Sequence, residues 1–380
     1  MPARRGKAVV TYAQHACLYG KDPPIERGHM LNDYAGAIHF HSSCSPDGRV
    51  PIGDIIQAAG ENGLDFLMLT DHSTLSVKRD GREGWYDGIL LIVGQEISPR
   101  FNHYLAFGID EEIIIGEHDT TYRPQVFIDR VNALGGIGFI AHPDHEGTEA
   151  FHVKHFPWQD WSVSGYTGMG IWDFMTDWQS TLRGLPSGLV GYLFPAYVLR
   201  GPRAVTLKRW DELNKTGRVV GIGELDNHDT PRKIGGITIG FFHFKRAFRV
   251  MRTHLLLDTP LKGEAEGDIK ALLKALKQGR AYIAMEYFRN AKGFSLSLSD
   301  SENESAMGDV FSLRGKALLQ ITVPETGNIR IIKDGDLCAE AVGKDIRYTV
   351  SQRGVYRAEV YVKIWGKYRP WIFSNPVYVR

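Results

Sequence analysis

The stretch Asp65-Phe66-Leu67-Met68-Leu69-Thr70-Asp71-His72 sets the frame in which the rest of the chain is read. Its unbroken apolar run reads as a strand covered on both faces, and it ends on polar Thr70, Asp71 and His72, where a buried strand would emerge from the sheet. The same figure recurs along the chain. Ile38-His39-Phe40-His41 closes a run that starts at Ala37, and Gly94-Gln95-Glu96 follows Ile89 to Val93. Ala141-His142-Pro143 follows Ile137 to Ile140, and Leu225-Asp226-Asn227-His228 follows Val219 to Gly223. Asp47 lies shortly after the first of these. His103 precedes its run, Tyr104 to Phe107, which implies a strand entered from the opposite end.

Helical patterns separate these runs. One covers Ile52 to Ala59, and a second is opened by Pro124 and stopped by Gly135-Gly136. A third has Leu207, Trp210 and Leu213 on one stripe. A fourth covers Asp268 to Gln278, with Asp268 read as its N-cap and Gly279 just beyond its end. Such alternation predicts an α/β fold with a mostly parallel sheet. Residues 151–194, rich in tryptophan and glycine, read as long loops around one strand near Gly170 to Phe174. From about residue 291 the apolar period becomes two, and Asp334-Gly335 reads as a hairpin turn, so a small all-β sandwich is expected over 291–380. The expected organisation is an N-terminal arm over 1–35, a catalytic part over 36–290 and that sandwich, read as a packing or interaction module.

Composition narrows the function classes. The 380 residues carry 45 basic and 44 acidic side chains mixed along the length, for a net charge of +1, so no basic face is evident and no nucleic-acid partner is expected. Cys17, Cys44 and Cys338 are odd in number and far apart, which argues for a reducing, cytoplasmic compartment. No apolar stretch reaches the roughly 18 residues that a membrane span requires, so no membrane partner is expected.

The chemistry lies in the polar ends of the runs. Histidines His39, His41, His72, His103, His142 and His228 and carboxylates Asp47, Glu96 and Asp226 are all metal-ligand types. Any one histidine alone reads more simply as a hydrogen-bonded core or surface residue; nine such residues at successive strand ends read as a multi-metal site. His39 and His41 are two apart, so in extended chain they face one way and can share an ion. Glu96 is the candidate bridge between two ions.

In their order along the chain, His39-Phe40-His41, Thr70-Asp71-His72, Glu96, Ala141-His142-Pro143 and Asp226-Asn227-His228 resemble the motifs of the polymerase and histidinol phosphatase (PHP) family of metal-dependent phosphoesterases. The resemblance covers about residues 36–290. It implies a distorted TIM-like barrel of seven βα units, (β/α)7, holding two or three divalent metal ions (Mn, Zn or Fe). It also implies one ion on His39, His41, Glu96 and Asp226, a second on Glu96, His103 and His142, and a third on Asp47, His72 and His228. Asp47 stands where some members have histidine and others aspartate. Residues 171–178 and 370–376 are similar to a branch that includes carbamate and ester hydrolases.

The expected function is hydrolysis of a small-molecule phosphoester by a metal-bridging hydroxide. Glu96, Asp226, His228 and Arg203 are the expected catalytic residues, with Arg203, and Arg200 beside it, placed to clamp phosphate oxygens. The alternatives are hydrolysis of a carbamate, amide or ester, and a non-catalytic binding module stabilised by metal. Asp71 is read either as orienting the imidazole of His72 or as a helix cap.

Overall fold

Of this protein the computed structural model describes residues 31–116, 122–149, 153–229, 231–234, 237–240 and 242–380. Residues 1–30 of the expected arm, with Cys17, lie outside these, as do His118 and His152. In order, the chain forms β1 (Asn32–Ile38), α1 (Ile52–Glu61), β2 (Phe66–His72), α2 (Ser76–Arg79), β3 (Gly84–Tyr86), β4 (Ile89–Ile97), β5 (Tyr104–Phe107), α3 (Pro124–Ala133), β6 (Ile137–Ile140) and β7 (Gly168–Asp173). Next come α4 (Phe174–Gln179), α5 (Leu185–Leu193), α6 (Pro195–Val198), α7 (Ala204–Thr216), β8 (Val220–Glu224), β9 (Pro231–Ile234), β10 (Ile237–Gly240), α8 (Phe244–Ala247), β11 (Met251–Leu257), α9 (Ala265–Gln278) and β12 (Ala281–Met285).

The fold is mixed α/β around a large sheet. Parallel pairs β1–β2, β2–β4, β6–β7 and β7–β8 meet the expectation of parallel strands, but β1–β11, β3–β4, β4–β5, β5–β6 and β11–β12 are antiparallel. The mostly parallel sheet is therefore corrected to a mixed one. The cause is local: the link from Ile97 to Tyr104 is too short for a crossover helix, so β5 can only fold back on β4. The expected TIM-like barrel is not confirmed, because the strand ladder stays open between β8 and β1 in an 18-stranded sheet. Just past the two strand ends, three backbone hydrogen bonds do join the segments: Leu225 N to Ile38 O, Asp226 N to His39 O and His41 N to Asn227 O.

Strand alternation sorts the core. Phe66, Met68, Leu90, Ile92, Leu105, Phe107, Phe139, Val220 and Ile222 face one way and form a single cluster, closed below by Leu272 and Leu276 of α9. Leu67, Leu69, Leu91, Val93 and Ile140 face the other way, among the residues of α1, α3 and α7. Burying one such side chain stabilises the fold by roughly 1.5–3 kcal/mol. Helix α9 starts a turn before the sequence pattern suggested, with Glu264 rather than Asp268 as N-cap. The Asp268 carboxylate instead accepts from Lys262 N, Gly263 N and Trp85 Nε1, bracing the preceding loop. Gly279 ends the helix at φ +75°, a left-handed turn that suits glycine.

The C-terminal strands are β13 (Ser295–Ser299), β14 (Glu304–Ala306), β15 (Val310–Phe311), β16 (Ala317–Lys333), β17 (Asp336–Val350), β18 (Gly354–Ile364), β19 (Lys367–Ser374) and β20 (Val377–Val379). They enclose their own apolar cluster, and β16 and β17 form a long hairpin turned at Asp334-Gly335, both at positive φ. Several attachments bind them to the rest. Strand β12 pairs with β19, and Arg357 forks onto both oxygens of Asp211 in α7. Buried Asn375 accepts from Gly221 N and donates to the carbonyls of Gly221 and Ala281. No helix of the described residues is long and apolar enough to cross a membrane.

Candidate metal centre

The parity that builds the inner core also builds the site. Along β4, Leu90 and Ile92 are inner residues and Glu96 continues their row; along β2, Phe66 and Met68 lead to His72. On β8 the row Val220, Ile222, Glu224 runs on to Asp226. Because β5 runs antiparallel to β4, His103 at its start lies beside the end of β4. The sites therefore crown the apolar core at one end of the sheet.

All nine candidate ligands converge. His39, His41, Glu96 and Asp226 form one group with ligand atoms within 4.8 Å of one another; Glu96, His103 and His142 form a second; His41, Asp47, His72 and His228 form a third. Glu96 is fully buried and central: Oε2 lies 3.2 Å from His39 Nε2, 3.3 Å from His41 Nε2 and 3.1 Å from His72 Nδ1. Its Oε1 lies 2.7 Å from His103 Nδ1 and 3.2 Å from His142 Nε2. Asp47 Oδ2 lies 3.4 Å from His72 Nε2 and 3.1 Å from His228 Nε2.

These residues fit a metal. The buried atoms His39 Nε2, His41 Nε2, His72 Nδ1, His228 Nε2 and Glu96 Oε2 make no hydrogen bond although they crowd together, so their lone pairs are left for an ion. Three of the residues, His39, His142 and Asp226, have φ of +66°, +26° and +46°. Side chains other than glycine rarely adopt that region, and such strain collects where function demands a side-chain direction.

Electrostatics supports the same reading. Burial would favour a neutral Glu96, but His39, His72 and His103 around it hold its carboxyl well below the usual range. Burial likewise works against charge on His39, yet Glu96 and Asp226 raise its pKa well above the ordinary value. For His72 and His142, burial is again outweighed by the carboxylates, and both are pushed up to about 9. Asp226 and Asp47 stay ionised against burial because histidines face them. An ion binding here would displace the protons that the carboxylates favour on His39, His72 and His142, whereas burial lowers the pKa of His41 and His103.

Glu224, unremarked in the sequence reading, supports two ligands from behind. It is fully buried, with Oε2 accepting the His142 backbone N–H at 2.8 Å and Oε1 3.4 Å from His39 Nδ1. A proton on His39 Nδ1 leaves Nε2 aimed into the site. Gly170 makes this possible, because a Cβ there would lie 1.7 Å from Glu224 Oε2. Its signal in the sequence was parity with Val220 and Ile222.

The other candidates fall elsewhere. Asp71 neither orients His72 nor caps a helix: its carboxylate accepts from Ser42 N and Ser42 Oγ, pinning the loop after His41. Arg203 donates to Asp144 O and pairs with Glu146 while lining a cavity that His142 also lines. Arg200 gives its backbone N–H to Asp177. His145 is buried, its pKa lowered to about 4 chiefly by burial, and its Nδ1 accepts from Phe156 N.

No protein-family model matches the chain. Uncharacterized protein MJ1587 of Methanocaldococcus jannaschii is 23% identical over 144 residues, 33% of this chain and 81% of that one. The crystal structure of a two-domain protein from Bacteroides vulgatus, containing a predicted PHP-like metal-dependent phosphoesterase, is 15% identical and covers 92% of this chain and 99% of its own, with a TM-score of 0.41. Endonuclease Q in complex with a 27-mer duplex substrate, with an abasic lesion at the active site, is 12% identical and covers 63% of this chain and 57% of its own, with a TM-score of 0.34. That duplex overturns one expectation: nucleic acid is no longer excluded as a partner of this chain. The expected similarity to a branch of carbamate and ester hydrolases is not shown by these comparisons.

Proposed function

We propose that this chain is a metal-dependent hydrolase of the PHP type that cleaves a phosphoester. The observation that carries this reading is the convergence of three ligand groups around one buried carboxylate, Glu96, with His39 Nε2, His41 Nε2 and His72 Nδ1, which face its Oε2, left without hydrogen bonds. Residues 36–290 would form the catalytic part as a distorted (β/α)7 barrel, a reading supported by the backbone hydrogen bonds between residues 38–41 and 225–227. Residues 291–380 would be a β-sandwich packed on it. Two free cysteines among the described residues, Cys44 and Cys338, suit a cytoplasmic setting.

The residues would hold two or three ions of Mn, Zn or Fe: His39, His41, Glu96 and Asp226 the first, Glu96, His103 and His142 the second, and Asp47, His72 and His228 the third, where His41 also stands close. Bound divalent ions supply Lewis acidity and activate water near neutral pH. Glu96 bridges two of the groups and fixes their spacing. Asp226 and His228, just past the end of β8, keep negative charge and a hydrogen-bonding imidazole at the open side. Glu224 fixes the tautomer of His39, and the His142 backbone is held by the same carboxylate. Arg203 would meet a phosphate oxygen by exchanging its partner Glu146, which is exposed.

The test pairs metal content with turnover. Protein loaded with Mn is analysed for bound metal and for products released: phosphate from a panel of monoesters, and monoester and alcohol ends from diesters, including a DNA duplex. His39→Ala is the matched control. Metal bound by the parent and lost in the variant, together with release only by the parent, is the expected result. Metal-loaded protein that hydrolyses none of them would overturn the reading.

A further inference from the structure

Helix α5 is turned inside out. A small residue faces the protein: Gly191 is buried, its carbonyl accepts from Trp178 Nε1 at 3.0 Å, and a Cβ there would lie 2.9 Å from that nitrogen. The large apolar residues face outward. Leu185, Leu189 and Leu193 form one row, and Val190 with Phe194 at the C-cap forms a second, each between 50% and 70% exposed. A surface helix ordinarily turns that stripe to the core. Three segments meet at this face. Phe194 lies against Tyr197, whose ring stacks at 4.6 Å on Trp365, 82% exposed at the tip of the β18–β19 hairpin. Arg246 donates to Leu193 O, and its guanidinium lies over Tyr192. Residues 178–210, 242–257 and 360–380 contain no acidic side chain. Arg183 stands just before α5, Arg246 at its end, and Lys363 and Lys367 on either side of Trp365. The carboxylates nearby, Glu61 and Glu325, are paired with Lys245 and Arg289.

We propose that α5 and the β18–β19 hairpin form a docking face for an anionic lipid bilayer, to which the chain adsorbs without spanning it. Nothing in this depends on the phosphoesterase reading above. Contiguous exposed apolar faces are uncommon on soluble surfaces and mark a place where something binds. Leucine, valine and phenylalanine side chains enter the acyl boundary, tryptophan and tyrosine settle at headgroup depth, and a cationic rim answers anionic headgroups. Other occupants fit this face less well. Two copies packed face to face would set cations against cations. The chain's own residues 1–30 carry five basic and two acidic side chains and would meet the same repulsion. A nucleic acid would find no cation across the aliphatic rows of α5, where residues 184–199 hold no charged side chain.

Binding of the full chain is measured by co-sedimentation with sucrose-loaded vesicles of phosphatidylcholine, alone or with roughly a third phosphatidylglycerol, at low and high salt. The chain should bind the anionic vesicles at least about 10-fold tighter than the neutral ones, and the difference should shrink at high salt. Leu189→Asp and Trp365→Ala, on separate elements and both at exposed positions, should each weaken binding to anionic vesicles by about 10-fold or more. Leu337→Asp changes a comparably exposed apolar side chain near the start of β18, at the other end of that strand from Trp365, and should leave binding unchanged. Circular dichroism establishes that each variant is folded. A chain that stays in the supernatant with anionic vesicles, or binding that neither Leu189→Asp nor Trp365→Ala weakens, overturns the docking face. A dimer in sedimentation velocity that Leu189→Asp dissolves, with no vesicle binding, assigns the face to a second copy and overturns it too.

Discussion

Removing Glu224 isolates the support of the centre from the centre itself. Glu224→Ala deletes a fully buried carboxylate that accepts the His142 N–H at 2.8 Å and faces His39 Nδ1 at 3.4 Å. Hydrogen bonds to a charged group contribute about 1.5–3 kcal/mol each, and the longer one counts at or below the low end. Both losses fall on residues whose backbones already sit at positive φ, so each removes support from a segment held in an unfavourable conformation. The loss of such a partner behind a ligand typically costs about 10- to 100-fold in metal affinity. Metal-free protein is titrated with Zn or Mn against a chelating dye, with circular dichroism to establish folding. Glu224→Gln should fall between, because its carbonyl can still face His39 while its amide opposes the His142 N–H. Ile222→Val, on the same strand row, is the packing control and should leave affinity unchanged. A folded Glu224→Ala protein that binds metal as the parent does would refute the argument.

Other outcomes follow from the same geometry. Gly170→Ala places a Cβ within 1.7 Å of Glu224 Oε2, so it should displace that carboxylate and reproduce much of the metal loss in the same titration. Asn375→Ala strips partners from Gly221 N, Gly221 O and Ala281 O, and urea unfolding should show a loss of about 2–4 kcal/mol, with a change under about 0.5 kcal/mol ruling the account out. Burial, against the N–H groups of Arg200, Gly201 and Trp172, pushes Asp177 from its ordinary value of 3.8 up to about 6. Its folded pKa is raised, so the folded state binds the extra proton between pH 4 and 6, and this contribution is lost as pH rises through that window. The stability difference between parent and Asp177→Asn should therefore shift against the parent by up to about 3 kcal/mol from pH 4 to pH 7. A difference that stays flat would show that the N–H groups, not burial, control this carboxyl.

Most of the centre was legible because each ligand ends an apolar run, and period-two alternation carries that run's direction into the ligand. Tyr104–Phe107 and Ile137–Ile140 were read to the residue, and the early His103 foretold the reversed strand β5. What a run cannot disclose is which strands lie side by side, so the mixed sheet and the partners of β11 and β12 were not foreseen. Glu224 was missed. It follows directly on Val219 to Gly223, read as a strand, so its parity with Val220 and Ile222 was a usable signal. Between β7 and α7, glycines, prolines and tryptophans concealed three short helices, α4 to α6. Pairings across long separations, such as Asp211 with Arg357, leave no local trace at all.

The side chain of Asn375 is the feature with the widest reach. It is threaded between Gly221 of β8 and Ala281 of β12, and β8 carries Glu224 at its end and Asp226 two residues on. The C-terminal strands are therefore not a detachable cassette. A chimaera that exchanged them, or an expression boundary drawn near residue 290, would release the backbone on which two carboxylates of the centre are hung. Modularity in this chain stops at the sequence pattern: its two halves would have to be inherited, and engineered, together.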